Sequence, residues 1–446
     1  MKISIVGIGY VGLVSGVCLA SKGHEIICVD VSQEKVDRVN RGEPPIYEEG
    51  LGELLAKVIG ESLTASTEIR SSVQNTDLSI IAVGTPFDGD QIDLTYIRQV
   101  ARQIGESLKE KNGYHTVVVK STVVPGTTED VVLPLLEEYS GKRAGNDFGV
   151  GMNPEFLKEG EAIADFLNPD RIVLGGIDDK TLQQLEEVYA IFPDTDKFRT
   201  NPRTAEMIKY TANALLATLI SFSNEMGNLS ASIGDVDIVD VMKGVHLDKR
   251  FSPILEDAGR ISPSFLTYLA AGCGFGGSCF PKDVKALARF GKDHHQTMSI
   301  LDAVIATNHA QPQRLVSILR SYFPKLEGLK VAVLGLAFKP GTDDIRESAS
   351  ISVIRALIDE KASVTAFDPI AQEEAEKELG EDAIAYTDSL AECIENVDAV
   401  LLLTSWPEFK DLPKLINALP QAPLLIDGRR MLSKDSVERY AGIGLS

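Results

Sequence analysis

The chain is poor in tryptophan, cysteine and positive charge. It has one tryptophan, and 44 Lys and Arg stand against 65 Asp and Glu. The formal net charge of −21 opposes broad binding to nucleic acid or anionic lipid, because both require a positive field. A small anionic ligand is still compatible with this charge where lysines, arginines and helix N-termini converge. We therefore expect a small-molecule ligand and no nucleic-acid partner.

The cysteines are too few and too scattered for a disulfide framework. There are five, an odd number, and no two form a CxxC pair. This pattern argues against structural zinc as well, so we expect no metal site. Cys18 and Cys28 fall in apolar helix-like and strand-like contexts and are predicted to be core residues. A reducing cytoplasm fits this usage.

Long hydrophobic runs are also missing. Apolar runs such as Ile3–Val6 and Val400–Leu403 are far shorter than the ~20 residues that a membrane-spanning helix needs. Met1 and Lys2 lead directly into a strand-like run, unlike a signal peptide. We expect a cytoplasmic protein with no membrane partner. At 446 residues the chain is too long for one ordinary core and predicts two or three domains.

The first 30 residues contain a dinucleotide-binding pattern in its expected context. A predicted strand, Lys2–Val6, precedes the glycine-rich segment Gly7–Gly12, a helix of small residues and a second strand, Glu25–Val29. The three glycines permit a tight turn, a close approach of pyrophosphate and close helix–strand packing. Asp30 is placed to accept from a ribose hydroxyl, which favours NAD over NADP, although a solvated strand-end carboxylate is the alternative. The candidate cofactor residues here are Gly7, Gly9, Tyr10, Val11, Gly12 and Asp30.

Two further strands lead into polar loops. Leu78–Val83 precedes Gly84–Pro86, and Thr116–Lys120 precedes the loop that begins at Ser121. Ligands collect at the carboxyl edge of parallel sheets, so Thr85 and Thr122 are candidate cofactor or water contacts. Hydroxyls at such positions also cap the next helix.

The carboxyl third repeats the opening pattern. Lys330–Gly335, Val364–Asp368 and Asp398–Thr404 mirror the first, second and third predicted strands. This repetition predicts a second Rossmann-like sheet. The full glycine triad is missing, so we expect this sheet to bind another phosphorylated ligand and not a second dinucleotide.

Between the sheets, residues 204 to 310 have a helical pattern, with a long proline-free run from Ala205 through Ala217. We predict an α/β fold with two Rossmann-like, doubly wound parallel-sheet domains, joined by a long central helix and a helical middle domain. The predicted boundaries are 1–203, 204–310 and 311–446. The long helix is expected to offer a face to a partner subunit.

The segment Gly274–Asp283 holds one cysteine in a glycine-framed loop. Glycine allows backbone conformations and close approaches that side chains would block. Lys282 would favour the thiolate form of Cys279, and Asp283 would orient or exchange protons. Such a loop presents a nucleophile, but a small buried cysteine is an equally good interpretation of the loop alone.

Five motifs, in order, resemble the UDP-glucose/GDP-mannose dehydrogenase family over nearly the whole chain. They are Gly7–Gly12, Val83–Pro86, Asn153–Glu159, Gly274–Asp283 and Gly335–Glu347. The segment Asn168–Val173 is more similar to the UDP-glucose branch. The resemblance implies a four-electron oxidation of UDP-glucose to UDP-glucuronate with two NAD molecules, through a thiohemiacetal and a thioester on Cys279.

The resemblance also implies roles for individual residues. The implied catalytic residues are Cys279 as nucleophile, Lys209 and Asn213 at oxyanion charge, Asp283 near the cysteine, and Glu155, Glu159 and Thr122 at the water and the reacting hydroxyl. Which carboxylate is the general base stays open. The further cofactor contacts are Lys35, Thr85, Pro86, Thr122, Glu159, Lys282 and Arg346.

The implied substrate contacts come from all three regions. They are Glu155, Phe156, Leu157, Lys158, Lys209, Asn213, Arg260, Tyr268, Phe275, Gly276, Phe338, Lys339 and Arg429. The chain departs from the family pattern in one place. Arg260-Ile-Ser stands where Arg-Ile-Gly is usual, and about three extra residues precede the glycine loop. The role of Arg260, which in the family reaches a neighbouring subunit, stays open.

Other functions are compatible with parts of this pattern. The same chemistry on GDP-mannose or a UDP-N-acetylhexosamine shares the motifs, and a two-electron hydroxyacid dehydrogenase shares the Rossmann and long-helix plan. A non-catalytic nucleotide-sugar sensor would need a broken catalytic set, yet Cys279, Lys209, Asn213 and Asp283 are present. We expect a homodimer or higher homo-oligomer.

Overall fold

The computed structural model describes residues 1–89, 91–380 and 382–446. The chain forms two compact units, Met1–Ala212 and Asn213–Ser446. The division into three domains stays a prediction.

The first unit contains one eight-stranded sheet in the order β3-β2-β1-β4-β5-β6-β7-β8. Neighbouring strands are parallel except for β6 and β7, which are antiparallel. The chain order reverses on either side of β1, which opens a crevice at the carboxyl ends of β1 and β4. The strands are β1 (Lys2–Val6), β2 (Glu25–Val29), β3 (Leu63–Ser66), β4 (Leu78–Ile81), β5 (His115–Val119), β6 (Phe148–Met152), β7 (Arg171–Gly176) and β8 (Asp196–Thr200).

Amphipathic helices cover this sheet. In the helix Thr95–Glu110, for example, Ile97, Val100, Ala101, Ile104 and Leu108 recur at helical spacing and are all buried. The helices are α1 (Tyr10–Ser21), α2 (Gln33–Asn40), α3 (Leu51–Val58), α4 (Ile69–Gln74), α5 (Thr95–Glu110), α6 (Leu133–Ser140), α7 (Ala162–Leu167) and α8 (Asp179–Val188). The next helix, α9 (Pro202–Ile233), begins in this unit and continues past Ala212. A π-helical turn, Thr128–Val132, precedes α6. The 32-residue α9 is the predicted long helix, with Pro202 in its first turn, where its missing N–H costs little.

The second unit contains a hairpin and a six-stranded sheet. Its strands are β9 (Ile254–Leu255), β10 (Gly259–Arg260), β11 (Lys330–Leu334), β12 (Ser363–Phe367), β13 (Ala385–Tyr386), β14 (Ala399–Leu402), β15 (Leu424–Asp427) and β16 (Tyr440–Gly442). The larger sheet is parallel throughout and has the order β13-β12-β11-β14-β15-β16. This order repeats the reversal of the first sheet, with β11 in the place of β1, so the predicted second Rossmann-like sheet is confirmed.

The helices of the second unit fall into two groups. The residues between Asn213 and the second sheet contribute α10 (Ile238–His246), α11 (Phe280–Asp293) and α12 (Ser299–Tyr322), and the sheet itself is covered by α13 (Ala349–Asp359), α14 (Gln372–Leu379), α15 (Leu390–Cys393) and α16 (Leu412–Ala418). Short 3₁₀ helices occupy Ser264–Tyr268 and Pro407–Asp411. Among the described residues, no helix combines the length and the apolar character needed to cross a membrane.

The central strands of both sheets are buried on both faces, whereas the edge strand β8 is mostly exposed. Ile3 and Ile5 of β1, and Val331 and Leu334 of β11, have no exposed surface. Parallel strands covered by helices on both sides read as continuous apolar runs, as these strands do. The predicted fold class is confirmed.

Candidate active site

The glycine loop after β1 has the shape that a pyrophosphate needs. Gly7 has φ +112°, and a Cβ there would lie 2.6 Å from the carbonyl oxygen of Ala82. A Cβ on Gly12 would lie 1.9 Å from the Gly7 carbonyl oxygen, so close packing excludes a side chain at both positions. A Cβ on Gly9 would meet nothing within 4 Å. The open space therefore lies at the middle glycine, beside the N-terminus of α1, where an anion is stabilised.

Asp30 follows β2, and hydrogen bonds within the protein use only part of the acceptor capacity of its carboxylate. Its Oδ2 accepts from the backbone N–H of Ile8 at 2.8 Å, and its Oδ1 accepts from that of Ser32 at 3.0 Å. A carboxylate has about four acceptor positions. The half-buried Asp30 therefore retains capacity for ribose hydroxyls, and the loop as a whole fits NAD.

Asp368, the counterpart of Asp30 in the second sheet, is fully buried and used entirely by the fold. Its two oxygens accept from the backbone N–H groups of Leu336, Ala337, Ile370 and Ala371 and from the indole N–H of Trp406. Such a carboxylate has no capacity left for a ribose. The geometry agrees with the expectation that the second sheet binds a different ligand.

The two predicted threonines meet at the carboxyl edge of the first sheet. The hydroxyl of Thr85 donates to the carbonyl oxygen of Thr122 at 2.7 Å, and Thr85 is buried. Beside them, Ser121 donates to the carbonyl oxygen of Val83 at 2.7 Å. The loops after β4 and β5 are therefore tied together where the sequence predicts ligand contacts.

Glu155 and Lys209 form a buried ion pair within the first unit. The Nζ of Lys209 lies 2.8 Å from Oε1 of Glu155, and the two side chains are 5% and 6% exposed. The other carboxylate oxygen accepts from the backbone N–H of Leu157 at 2.6 Å. Burial by itself would raise the pKa of Glu155, but the Lys209 ammonium and these hydrogen bonds hold the pKa below its ordinary value. Glu155 is therefore a carboxylate held in its ionised form.

Lys120, at the end of β5, holds the start of the segment that carries Glu155. Its Nζ donates to Oδ1 of Asn153 at 2.8 Å, and the Asn153 side chain donates to the carbonyl oxygen of Val173 at 2.9 Å. Burial lowers the pKa of Lys120 to about 8. Sequence reasoning missed this lysine. Its position immediately before Ser121 and Thr122 was the available signal.

Glu48 is a second residue that the sequence did not reveal. Its carboxylate accepts from the backbone N–H groups of Gly160 and Ala162, both at 2.7 Å, and from the hydroxyl of Tyr10. Tyr10 also lies 3.3 Å from the carbonyl oxygen of Lys158. Glu48 thus joins the glycine loop to the far end of the Asn153–Glu159 segment. Burial and the neighbouring carboxylate raise the pKa of Tyr10.

The predicted nucleophile occupies a distinctive place in the second unit. Cys279 is half-buried and is the N-cap residue of α11, whereas the other four cysteines are buried. Burial raises the pKa of Cys18, Cys28 and Cys393 to about 12, and these cysteines are core residues. A helix N-terminus stabilises negative charge, so the setting of Cys279 favours a thiolate.

Three predicted residues converge on the first turn of α11. Asp283 is buried, and its Oδ2 accepts from the side-chain amide of Asn213 at 2.7 Å. Its Oδ1 accepts from Nζ of Lys282 at 2.6 Å. The carboxylate is therefore held between an amide and an ammonium, one helical turn from the cysteine.

Aromatic rings surround the same loop. The ring of Phe280 lies 6.2 Å from that of Tyr268 and 6.0 Å, edge to face, from that of Phe275. Tyr268 and Phe275 were predicted substrate contacts, whereas Phe280 was not. A flat base is well matched to such a surface.

Arg429 ties the cysteine loop to the second sheet. Its guanidinium donates to the carbonyl oxygens of Leu403 at 2.6 Å, Phe338 at 3.1 Å and Gly274 at 3.2 Å. Three of the five N–H donors of this arginine thus bind the protein itself. Arg429 is therefore a structural element of the site whatever ligand it also contacts.

The other predicted cationic residues contact nearby groups, and all of them except the half-buried Lys339 are exposed. Arg346 binds Asp344 through two hydrogen bonds of 2.8 Å, and Arg260 donates to the carbonyl oxygens of Leu247 and Ser252. Lys158 forms ion pairs with Glu161 and Asp165. Lys35 lies exposed in the first turn of α2. The ammonium of Lys339 lies 5.7 Å from the centre of the Phe338 ring.

The glycine loop and Asp30 define the class of protein, an NAD-dependent dehydrogenase, and the comparisons with known proteins agree. A model of the NAD-binding domain of the UDP-glucose/GDP-mannose dehydrogenase family matches residues 1–193. The central domain of the family matches residues 203–310, and its UDP-binding domain matches residues 332–434. The chain belongs to the UDP-glucose/GDP-mannose dehydrogenase family.

Relatives and solved structures match over the full length. A UDP-glucose 6-dehydrogenase of Haloferax volcanii is 41% identical, over 97% of this chain and 98% of its own. A GDP-mannose 6-dehydrogenase of Azotobacter vinelandii is 38% identical over 94% of each chain. The structure of a UDP-glucose dehydrogenase from Pyrobaculum islandicum is similar with a TM-score of 0.90 at 39% identity, covering 100% of this chain and 98% of the other. The predicted family is confirmed.

Proposed function

We propose that this enzyme oxidises UDP-glucose to UDP-glucuronate in a four-electron reaction that proceeds through a covalent intermediate on Cys279. The observation that carries the proposal is the half-buried cysteine at the N-terminus of α11, because a simple alcohol dehydrogenase needs no nucleophile. The similarity to the UDP-glucose 6-dehydrogenase of Haloferax volcanii and to the UDP-glucose dehydrogenase of Pyrobaculum islandicum supports UDP-glucose as the sugar nucleotide.

The reaction requires two oxidations and one hydrolysis. The Gly7–Gly12 loop and Asp30 would hold NAD, which would supply the hydride acceptor for both oxidations. The C6 alcohol first loses a hydride and a proton to become an aldehyde. The Cys279 thiolate then adds to the aldehyde carbon, and the resulting oxyanion takes up a proton to complete the thiohemiacetal.

The second half of the reaction releases the acid. Loss of a second hydride and of the hydroxyl proton converts the thiohemiacetal into a thioester. Water then adds to the thioester carbon, the C–S bond breaks, and the carboxylic acid leaves while the sulfur regains its proton. Covalent capture on Cys279 also keeps the aldehyde from escaping before it is oxidised.

We assign the charged residues by their surroundings. The ammonium of Lys209 stabilises oxyanion charge, with Asn213 as a further donor, and Glu155 orients that lysine through the 2.8 Å ion pair. Because the pKa of Glu155 lies below its ordinary value, Glu155 is a weak base. We therefore assign the activation of water to Glu159 with Thr122, and proton exchange beside the sulfur to Asp283.

The remaining assignments concern ligand binding. We propose that the C-terminal sheet binds the nucleotide-sugar diphosphate, that Tyr268 and Phe275 border the base and that Lys339 offsets phosphate charge. The other proposed substrate contacts are Phe156, Leu157, Lys158, Arg260, Gly276, Phe338 and Arg429, and the other cofactor contacts are Tyr10, Val11, Lys35, Thr85, Pro86, Lys282 and Arg346. The domains are proposed at 1–203, 204–310 and 311–446.

We further propose a homo-oligomer that associates through α9. Leu215, Phe222 and Leu229 are spaced seven residues apart, and Ile233 follows one turn later. All four are more than half exposed, at 58%, 51%, 53% and 63%. An exposed apolar stripe of this regularity on a helix is typical of a protein interface. A cytoplasmic location is proposed because an odd number of cysteines without a CxxC pair fits a reducing compartment.

The stoichiometry of cofactor reduction tests the reaction. We expect two NADH for each UDP-glucose consumed, and a thioester on Cys279 detectable by mass spectrometry after acid quenching. Cys279→Ser should abolish acid formation and leave NAD affinity unchanged. One NADH per sugar would favour a two-electron dehydrogenase, and acid formation by Cys279→Ser would refute the covalent route.

The sugar nucleotide is tested separately. The Azotobacter vinelandii relative, a GDP-mannose 6-dehydrogenase, makes GDP-mannose the second candidate. We expect kcat/KM to be highest for UDP-glucose among UDP-glucose, GDP-mannose and UDP-N-acetylhexosamines. A higher value for any of the others would overturn the substrate but leave the chemistry in place.

A further inference from the structure

Side-chain amides hold the backbone that leads into the cysteine loop. The N–H of Gly272 donates to Oδ1 of Asn224 at 2.8 Å, and Nε2 of Gln311 donates to the Gly272 carbonyl oxygen at 2.8 Å. At Phe275, Oδ1 of Asn308 accepts from the N–H at 2.8 Å, and Nδ2 of Asn308 donates to the carbonyl oxygen at 2.9 Å. We call Asn224, Asn308 and Gln311 the amide clamp.

Asn308 and the loop are matched in shape. Gly274 has φ +99°, and a Cβ there would lie 2.7 Å from Oδ1 of Asn308. The glycine is therefore required for two reasons, its backbone conformation and the space that the asparagine occupies. The single carboxamide of Asn308 binds both the backbone N–H and the carbonyl oxygen of Phe275, in the way that a neighbouring β-strand would.

The opposite side of the loop is equally constrained. The N–H of Gly277 donates to the carbonyl oxygen of Arg346 at 2.7 Å. A Cβ on Gly276 would lie 2.3 Å from the Glu347 carbonyl oxygen, and one on Gly277 would lie 2.7 Å from the Phe338 ring. The loop thus lies between the amide clamp and the edge of the second sheet, and release of one side would let it move.

We propose that Asn308 is a positioning residue for Cys279. It acts through the backbone of Phe275, four residues before the sulfur, and so sets the direction in which the chain enters α11 with Cys279 as its N-cap. The inference rests on the proposed nucleophilic role of Cys279. Addition of the thiolate to an aldehyde requires close distance and alignment, and a displacement of about 1 Å costs up to about 100-fold in rate.

Position 308 is suited to substitution. Asn308 is half-buried and borders a cavity of about 450 Å³ that is also lined by Phe275, Gln313 and Arg314. Asn308→Leu, of similar size, removes both hydrogen bonds. Asn308→Asp keeps an oxygen that accepts from the Phe275 N–H. It replaces the donor to the Phe275 carbonyl oxygen with a second carboxylate oxygen, so that hydrogen bond is lost. Gln313→Ala removes an exposed amide of the same helix and cavity and is the matched control.

The test separates positioning from general damage. For Asn308→Leu we expect kcat for acid formation to fall about 10- to 100-fold, with a smaller fall for Asn308→Asp. The rate at which iodoacetamide alkylates Cys279 should differ several-fold between Asn308→Leu and the parent at every pH between 6 and 9. The amount of aldehyde that hydroxylamine traps during turnover should be larger for the variant than for the parent. The Kd for NAD, which is assigned to the first sheet, should stay within about threefold of the parent, and Gln313→Ala should match the parent in every measurement.

The results of these measurements either support or refute the positioning role of Asn308. If both Asn308 variants keep the parent kcat and alkylation rate, Asn308 has no positioning role. The same conclusion follows if every loss is matched by an equal loss of NAD affinity or of cooperative melting. The Cys279→Ser variant separates this result from failure of the proposed function. Acid formation by that variant refutes the nucleophile, whereas an inactive Cys279→Ser beside a normal Asn308→Leu refutes only the positioning.

Discussion

The ammonium of Lys209 lies 2.8 Å from the carboxylate of Glu155, and both side chains are almost completely buried. The pair stands near the N-terminal end of the long helix α9 on one side and in the segment after β6 on the other. A buried pair of this kind is sensitive to the loss of one partner, because the remaining charge keeps its desolvation cost without its compensation.

Lys209→Met should therefore destabilise the protein by about 3–5 kcal/mol, measured by urea unfolding, because Glu155 is left as a buried, uncompensated charge. A double variant with Glu155→Leu should recover much of this loss. The control is Lys158→Met, since the side chain of Lys158 is 51% exposed and its ion pairs contribute less than about 1 kcal/mol. A Lys209→Met protein as stable as the parent would show that the pair contributes no net stability.

The cysteines should differ sharply in reactivity. At pH 8 in the native protein we expect iodoacetamide to modify Cys279 alone, because burial protects the other four and raises the pKa of Cys18, Cys28 and Cys393 to about 12. Peptide mapping should find one modified cysteine per chain before unfolding and five after it. Cys279→Ser should show no native labelling. Equal labelling of several cysteines would contradict the difference in exposure.

The two corresponding aspartates should respond differently to the same change. Asp30→Asn should weaken NAD binding about 10-fold or more, because its carboxylate has acceptor capacity left for ribose, and should cost less stability than Asp368→Asn, because only two backbone N–H groups face it. Asp368→Asn should instead cost about 2–4 kcal/mol of stability, because its amide group faces five N–H donors. Calorimetric NAD titration measures the change in NAD affinity of each variant, and urea unfolding measures the change in its stability. If both variants lost NAD affinity and stability to the same extent, the two aspartates would not differ in role.

Glu206 should make stability depend on pH. Its buried carboxylate accepts from the N–H and hydroxyl of Thr128 and from the N–H of Gly126, and burial raises its pKa to about 7. A carboxyl whose folded pKa exceeds its unfolded pKa contributes stability that is complete below about 4.5 and is lost as the pH rises through about 7. The loss is on the order of 3 kcal/mol.

Glu206→Gln should remove that part of the pH dependence. Urea unfolding from pH 4.5 to 8 should give a flatter curve for this variant than for the parent. Glu106→Gln, which alters an exposed carboxylate in α5, should leave the curve unchanged. Identical pH dependence in the parent and Glu206→Gln would show that Glu206 does not titrate in this window.

The stripe on α9 should govern self-association. Phe222→Asp places a charge among Leu215, Leu229 and Ile233 and should reduce the molar mass in light scattering to that of a single chain, 48.3 kDa. Ile300→Asp alters an exposed apolar residue of α12 that lies outside the stripe and should leave the mass unchanged. A parent that is already monomeric, or a Phe222→Asp protein that keeps the oligomer, would refute this interface.

Much of the site could be predicted because its signals are local. The strand–glycine–helix order before Asp30 and the glycine-framed Cys279 are each contained within about 30 residues, where spacing alone dictates the backbone. The contacts of Glu48 could not be predicted in this way, since it meets Gly160 across 112 residues of sequence. Glu206, which meets Thr128 across 78 residues, was missed for the same reason.

The sequence by itself determined the kind of element at each place and the chemistry that each motif can hold, because apolar periodicity and glycine spacing act over single strands, turns and helices. Only the tertiary structure decided which of two similar aspartates is open and which is consumed by the fold, and which amides hold the cysteine loop. These outcomes depend on burial and on hydrogen bonds between distant segments, which exist only once the sheets and helices have packed.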